Sequence, residues 1–323
     1  MIKVEWFYWL IAAFFLTVGW LVIRDRSNPH RVWSAVFWSM LGLCFPYSSF
    51  VVAKTAPAWL LGLAVVGIAC IAGFGLLGHG TQEKTTSPVE REALADRFGN
   101  KLFLPVLVIP VVTGLFATFG KDVRIGGQPV LQPLNETVIG LGASAIVAVL
   151  VGMWVLRTPS AAVPLHEGRR LTENIGWASV LPQLLAMLGL VFATAGVGKA
   201  IGSSAGHVLP KGSLFAAVVL YCLGMAIFTI IMGNAFAAFP VMTAAIGYPL
   251  LIQHYHGSPP IVFAIGMLSG YCGTLCTPMA ANFNIVPVAL LELKSDYAVI
   301  RQQVPTAIPL WACNVALMYF LAF

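Results

Sequence analysis

Charge is what this sequence lacks. Only 9% of its 323 residues are Asp, Glu, Lys or Arg, where soluble domains carry roughly 25%. Hydrophobic residues make up 59%, and the mean hydropathy is +0.88. A single large soluble core is therefore excluded, and a polytopic membrane protein follows. The formal charge of +6 is scattered over loops. It forms neither a basic block nor a basic stripe interleaved with aromatics, so nucleic acid is excluded as a partner. Contact with the anionic headgroups of the lipid bilayer is the plainer use of these cations.

Catalytic constellations are missing as well. There is no HExxH, no GxSxG elbow, no Walker loop and no pair of acids within an apolar run, which argues against an enzyme. Cys44, Cys70, Cys222, Cys272, Cys276 and Cys313 include no CxxC. Cys272 and Cys276 share a helix face but have no His at ligand spacing, so they read as helix packing rather than a metal site. His254 and His256 flank Tyr255 in a surface turn. No cofactor and no catalytic residue are implied.

What is present is apolar length. Runs long enough to cross roughly 30 Å of hydrocarbon occur at about 5–23, 32–52, 57–78, 102–120, 136–156 and 175–198, with more apolar chain at about 213–252, 260–293 and 304–323. The first run has no small-residue cleavage site before Arg24 and reads as a retained span. Between spans, Ser87-Pro88-Val89-Glu90 predicts a capped surface helix stopped by Gly99, within a polar loop at about 80–101. One set of loops holds Arg24, Arg26, Arg31, Lys84, Arg91, Arg97, Lys101, Arg157, Arg169, Arg170, Lys294 and Arg301; the opposite set holds Lys3, Lys54, Lys121, Arg124, Lys199 and Lys211. The positive-inside rule puts the richer set in the cytoplasm, with both termini outside a bacterial inner membrane.

Two stretches break the rules of a spanning helix. The first is Ile231-Met232-Gly233-Asn234-Ala235-Phe236-Ala237-Ala238-Phe239-Pro240, the second Gly273-Thr274-Leu275-Cys276-Thr277-Pro278-Met279-Ala280-Ala281-Asn282-Phe283-Asn284. Gly costs about 1 kcal/mol and Pro about 3 kcal/mol inside a helix. Backbone left unpaired in lipid costs several kcal/mol per group, so such breaks persist only where protein shields them or they line a cavity. Paired interruptions point to a secondary transporter's binding site. The run at 213–252 has only Gly233-Asn234 as a polar centre. It fits a re-entrant hairpin with arms of about 215–232 and 235–251, although two full spans are equally compatible with the charge count.

Each break offers specific chemistry. Gly233 permits close approach of a ligand, Asn234 carries both donors and an acceptor, and a helix starting near Ala235 turns its positive end toward an anion. Around Pro278, Thr274, Thr277, Asn282 and Asn284 supply hydroxyls, amides and released carbonyls. Gly233, Asn234, Ala235, Thr277, Pro278 and Asn282 are therefore expected to bind substrate. Asn234, Thr274, Thr277 and Asn284 are expected to bind the coupling ion. No Asp, Glu, Lys or Arg lies in either segment, so of the two coupling ions, Na⁺ and H⁺, sodium is easier to hold without a buried carboxylate.

At these residues the sequence resembles a known family. Gly233-Asn234-Ala235-Phe236-Ala237-Ala238-Phe239-Pro240-Val241-Met242, Gly266-Met267-Leu268-Ser269-Gly270 and Cys276-Thr277-Pro278-Met279-Ala280-Ala281-Asn282-Phe283-Asn284-Ile285-Val286-Pro287 are similar to a bacterial membrane family of the DUF979 type. That family is described as one subunit of a two-component 5-oxoproline (pyroglutamate) transporter. More remotely the pattern is similar to the ion transporter superfamily, which includes the sodium–dicarboxylate symporters and has inverted repeats, each with a hairpin and an unwound helix. Hairpin tips there carry Ser-Asn-Thr-like motifs, and here only the asparagine is kept.

The expectation is an all-α polytopic membrane protein of about eight transmembrane helices, one re-entrant hairpin and one unwound helix, resembling half of an inverted-repeat fold. Residues 1–160 would form an accessory bundle. Residues 161–323 would form a transport half, with the hairpin at about 215–251 and the broken helix at about 260–293. Since residues 1–160 hold no comparable pair of breaks, a smaller membrane subunit would supply the complementary half-site, or a homo-oligomer would. The implied function is uptake of a small carboxylate, 5-oxoproline being the solute the resemblance suggests, by cation-coupled alternating access. The alternatives are a non-transporting assembly subunit and, less in keeping with the residues, an integral membrane enzyme.

Overall fold

The computed structural model describes residues 1–78, 80, 87–158, 160, 162–208, 213–281, 283–291 and 293–323. It resolves into two compact units, Met1–Glu173 and Asn174–Phe323. Among the described residues, seven helical runs are long and apolar enough to cross a bilayer by length and composition. The chain is thus an all-α, multi-pass membrane-type protein.

In the first unit, α1 (Val4–Arg24) and α2 (Arg31–Val52) pack antiparallel, and α3 (Ala58–Gly73) follows. Gly19 lies against Ala35 and Ser39, and Gly42 against Ala12 and Phe15, so small residues let the two helices approach closely. Phe15 stacks nearly parallel on Trp38, ring centroids 5.8 Å apart. The surface helix α4 (Pro88–Phe98) has the capping box that its sequence predicts: Ser87 Oγ accepts from the Glu90 N–H at 3.2 Å, and Glu90 Oε2 accepts from the Ser87 N–H at 2.7 Å. The Ser87 N–H bond holds the Glu90 carboxyl below its ordinary pKa. A short 3-10 turn leads into α5 (Leu104–Phe119), which packs antiparallel on α6 (Glu136–Leu156) through Gly140 on Phe116 and a 3.2 Å bond between Thr113 and Ser144. Last comes the amphipathic α7 (Val163–Ile175).

Two clasps fix this unit at its ends. The α5–α6 connection carries a two-stranded ribbon, β1 (Arg124–Ile125) and β2 (Gln128–Pro129), turned by Gly126-Gly127 at positive φ. Just beyond it, Ile2 donates to the Val130 carbonyl at 2.6 Å and accepts from Gln132 at 3.0 Å, while the Val4 N–H bonds Gln132 Oε1 at 3.0 Å. The N-terminus and the α5–α6 connection therefore lie at the same end of this unit. At the opposite end, Arg169 of α7 pairs with Asp25 at 2.6 Å and with Glu173 at 3.1 Å. Burial alone would raise the Asp25 pKa, but hydrogen bonds from Ser27 and Arg169 bring it below the ordinary carboxylate value.

The second unit begins with a helix pair not expected from the sequence. The apolar run at about 175–198 is interrupted rather than one continuous helix. It comprises a 3-10 turn (Gly176–Ser179), α8 (Leu181–Thr194) and α9 (Val197–Val208). Gly196 at φ +75 separates the two helices. Next, α10 (Leu214–Met232) turns at Gly233-Asn234 into α11 (Ala235–Met242), which widens into a π-type segment (Thr243–His254). The widening has a local cause. Pro249 offers no N–H and its ring would crowd the carbonyl four residues back in an α-helix. The two arms lie side by side, with the Tyr221 hydroxyl 3.1 Å from Thr243 Oγ1 and the Tyr221 ring against Gly247. They contain 19 and 20 residues, and each is long enough to cross a bilayer.

The rest of the unit encloses that hairpin. Helix α12 (Pro259–Thr274) lies on α10, and α14 (Ala298–Leu321) packs beside α12; the short α13 (Ile285–Leu290) comes between them in sequence. Gly266, Gly270 and Gly273 present a ridge without side chains to Tyr221, Met225 and Ala226 of α10. The core they close includes Tyr221, Met225, Leu251, Val262 and Met318, all fully or almost fully buried.

Candidate functional site

The hairpin tip is built from opposite ends of two helices. Gly233 closes α10 in the left-handed conformation, φ +70, and donates to the Thr229 carbonyl at 2.6 Å. Asn234 returns to extended backbone and caps α11, its Oδ1 accepting from the Phe236 N–H at 2.8 Å. This uses the acceptor half of the amide. Among the described residues Asn234 Nδ2 meets no acceptor, which leaves the amide donors unused at the tip. The first-turn N–H groups of Ala235 and Ala237 have no partner within the helix, and they add positive potential at the same point.

The opposing surface is an unwound stretch. Helix α12 ends at Thr274, and regular helix resumes only at Ile285. Thr277 starts a tight turn, its Oγ1 accepting from the Met279 N–H at 3.3 Å. Across the gap, the fully buried Asn284 donates from Nδ2 to the carbonyls of Thr274, at 2.9 Å, and Thr277, at 2.6 Å. One side-chain amide thus satisfies two carbonyls that the broken ladder releases. Its Oδ1 is buried and has no donor among the described residues. An acceptor stranded in this way costs about 1–3 kcal/mol.

Tip and break meet directly, for a β-carbon on Gly233 would lie 2.5 Å from the Met279 carbonyl oxygen. Beside this contact is a cavity of about 320 Å³ lined by Gly233, Asn234, Ala235, Phe236, Tyr271, Thr274, Met279, Ala280, Ala281 and Phe283. Its character is divided. Asn234 and the start of α11 make a polar end. Phe236, Tyr271 and Phe283 make an aromatic wall, with centroid distances of 6.0 Å and 6.3 Å along the series. Among the described residues no charged side chain lines the cavity. That combination suits a compact guest with one small anionic group, because a helix N-terminus supplies about half a unit of positive charge.

The expected site residues divide into three groups. Gly233, Asn234, Ala235 and Thr274 come together at the cavity. Thr277 and Asn284 stand behind it as the brace of the break, with Pro278 in the turn between them. Asn282 lies outside the described residues. Asn284, expected as an ion ligand, has its donors engaged on the backbone, and only Oδ1 remains to ligate.

Other lining residues were not anticipated as binding residues. Tyr271 stands one turn before Thr274 on α12, a spacing that places it on the same face. Phe236 and Phe283 lie within the interrupted segments themselves. Thr229 is fully buried one turn before Gly233, facing Gly270, with its hydroxyl unpartnered among the described residues. No sequence signal distinguishes it from the many packing threonines of membrane helices.

No curated protein matches the chain, and no solved structure does. A family model does match, over residues 5–323, and its description reads "Protein of unknown function (DUF979)". An interrupted-helix cavity on a multi-pass membrane scaffold is thus the setting in which this chain belongs to the DUF979 family.

Proposed function

We propose that this chain is a subunit of a secondary active transporter that imports a small carboxylate by cation-coupled alternating access. One observation carries the reading: the hairpin tip and the unwound stretch of α12 enclose one cavity between them. Broken helices at transporter sites place helix N-termini toward anionic groups and freed carbonyls toward cations. Here the N-terminus of α11 and Asn234 Nδ2 would hold the carboxylate, while the aromatic wall takes the body of the solute. The stranded Asn284 Oδ1, close to the carbonyls of Thr274 and Thr277, is the natural ligand for a coupling cation. With no lysine or arginine at the cavity among the described residues, a monocarboxylate is favoured over a dicarboxylate, and 5-oxoproline is the first solute to test.

The proposal extends to assembly. A smaller membrane subunit would bring the complementary half-site, and a homo-oligomer is the lesser alternative. By the positive-inside rule the termini lie outside, so the hairpin opens outward and its tip points toward the cytoplasm. The test is uptake of labelled 5-oxoproline by cells with and without the gene, in Na⁺ medium, in K⁺ medium and with a protonophore. Gene-dependent uptake that falls when Na⁺ is replaced supports both solute and ion. Uptake indifferent to Na⁺ but abolished by the protonophore reassigns the ion to H⁺. If small monocarboxylates neither enter the cells nor raise the thermal stability of the purified complex, the transport reading fails and a role in assembly takes its place.

A further inference from the structure

Helix α14 buries one stripe along its length, and that stripe changes character partway. Its later members, Val315 and Met318, are apolar and pack in the core with Tyr221 and Met225. Its earlier members are Gln303, Ala307, Trp311 and Asn314, whose spacings of three and four residues keep them on the same face. Three of these carry a polar atom with nothing to bond. Gln303 Oε1 and Trp311 Nε1 are covered by protein and unpartnered. Asn314 is buried and donates to Cys272 Sγ at 3.6 Å, but its Oδ1 has no donor among the described residues. A covered polar atom forfeits the hydrogen bonds it had in water. Three on one face of a membrane helix call for a state in which they are met.

The change of character coincides with the end of α12. Met318 lies on Cys222, sulfur to sulfur 3.8 Å, and Asn314 lies on Cys272. Cys222 follows Tyr221, whose ring sits at Gly266, so from Met318 back to Asn314 the helix advances along α12 toward Thr274. Trp311 and Gln303 continue in that direction, with Gln303 about 16 Å beyond Asn314. After Cys272, α12 has only Gly273 and Thr274 left before it unwinds. The buried stripe is therefore apolar beside intact helix and polar beside the break.

The same part of α14 is the easiest to bend. Pro305 and Pro309 lie inside the helix, both exposed on the side away from the stripe. Neither can donate to the carbonyl four residues back, that of Arg301 or of Pro305, and proline is the usual seat of a sharp helix kink.

We infer that the first half of α14 is the gate on the cytoplasmic side of the cavity. It bends at Pro305 and Pro309 away from the unwound stretch. Water then reaches Gln303, Trp311 and Asn314, which line the path by which the solute and its coupling cation leave. The gate is shut in this structure, with Gln303 Oε1 and Trp311 Nε1 covered; opening exchanges packing for hydrogen bonds to water. The gate rests on the transport reading above, and its side is cytoplasmic by the orientation proposed there, with Lys294 and Arg301 at this end of α14.

The test uses the full-length protein in inside-out vesicles, which expose the cytoplasmic face, with the native cysteines replaced by alanine and single cysteines introduced. A hydrophilic methanethiosulfonate is expected to label Ala307→Cys and Gln303→Cys severalfold faster than Val315→Cys on the apolar part of the stripe, or Ile308→Cys on the opposite, exposed side. Pro305→Ala/Pro309→Ala restores both backbone bonds. It is expected to slow that labelling and uptake severalfold while leaving equilibrium binding of 5-oxoproline unchanged. Thermal melting confirms that each variant is folded. Labelling of Ala307→Cys and Gln303→Cys no faster than that of Val315→Cys overturns the gate, as does labelling that the two alanines leave unchanged. Labelling needs no solute, so its failure is separate from that of the transport reading. A path that labels as expected in a protein that binds no carboxylate keeps the gate and removes only its cargo.

Discussion

The carbonyl oxygen of Met279 sits 2.5 Å from the point where Gly233 would carry a β-carbon. The tip of the hairpin and the middle of the unwound stretch therefore touch through backbone alone. Gly233→Ala should fail twice, since the left-handed conformation costs a non-glycine residue roughly 1–2 kcal/mol and the methyl has no room. We expect the melting temperature of the purified protein to fall by several degrees and uptake to be lost. An alanine variant with unchanged melting and uptake would show that the two segments are not in contact.

Asn234 does two things that substitution can separate. Its Oδ1 caps α11, and the residue lines the cavity with its Nδ2 donors unused among the described residues. Asn234→Ala should remove both, costing about 0.5–2 kcal/mol from the lost cap as well as lowering uptake. Asn234→Ser keeps the cap and loses the amide donors, so stability should stay near wild type while the apparent KM rises about tenfold, as the loss of one hydrogen bond to a charged group implies. Uptake kinetics beside thermal melting of the two variants decide the matter.

The brace across the break gives a sharper contrast. Asn284→Ala strands the carbonyls of Thr274 and Thr277 inside the protein, and about 1–3 kcal/mol per group is expected. Thr277→Ala leaves those carbonyl bonds in place and removes only the hydroxyl that accepts from Met279. The first variant should melt clearly earlier than the second. Under the cation proposal, Asn284→Ala should also weaken the dependence of uptake on Na⁺ concentration.

Acid should act on the first unit through Asp25. Its folded-state pKa lies below the ordinary 3.8, so its contribution is fully present above that value. It is lost as the pH falls through the depressed folded-state value. Melting curves from pH 7 down to about 3 should show this loss, and Asp25→Asn should be less stable at neutral pH and respond less to acid. An unchanged pH profile in the variant would place the acid sensitivity elsewhere.

Much of this arrangement was legible in the residues. Apolar length located α1, α2, α5 and α6 to within a few residues, because a bilayer imposes one dominant demand on composition; α14 begins at Ala298, ahead of the apolar run expected from about 304. Ser87 and Glu90 announced their capping box, and Gly233-Asn234 and Thr277-Pro278 announced their breaks, since each is a local backbone effect. What escaped was long-range. Nothing in a hydropathy pattern says that Asn284 would reach back to Thr274, or that Tyr271 and Phe283 would join Phe236 in one wall. The interruption at Gly196 was hidden for another reason. No proline accompanies that glycine, and Thr194 and Lys199 beside it read equally well as the end of a span, so only its positive φ reveals the break.

The glycine ridge of α12 restricts how this protein can move. Gly273 lies directly on the Ala226 backbone, while Gly266 receives the Tyr221 ring and Gly270 the end of the Met225 side chain. Sliding one helix past the other would drive these groups into the neighbouring backbone of α12. The hairpin's first arm and α12 are thus keyed to each other, and a hinge that exposes the cavity to alternate sides is expected outside that pair.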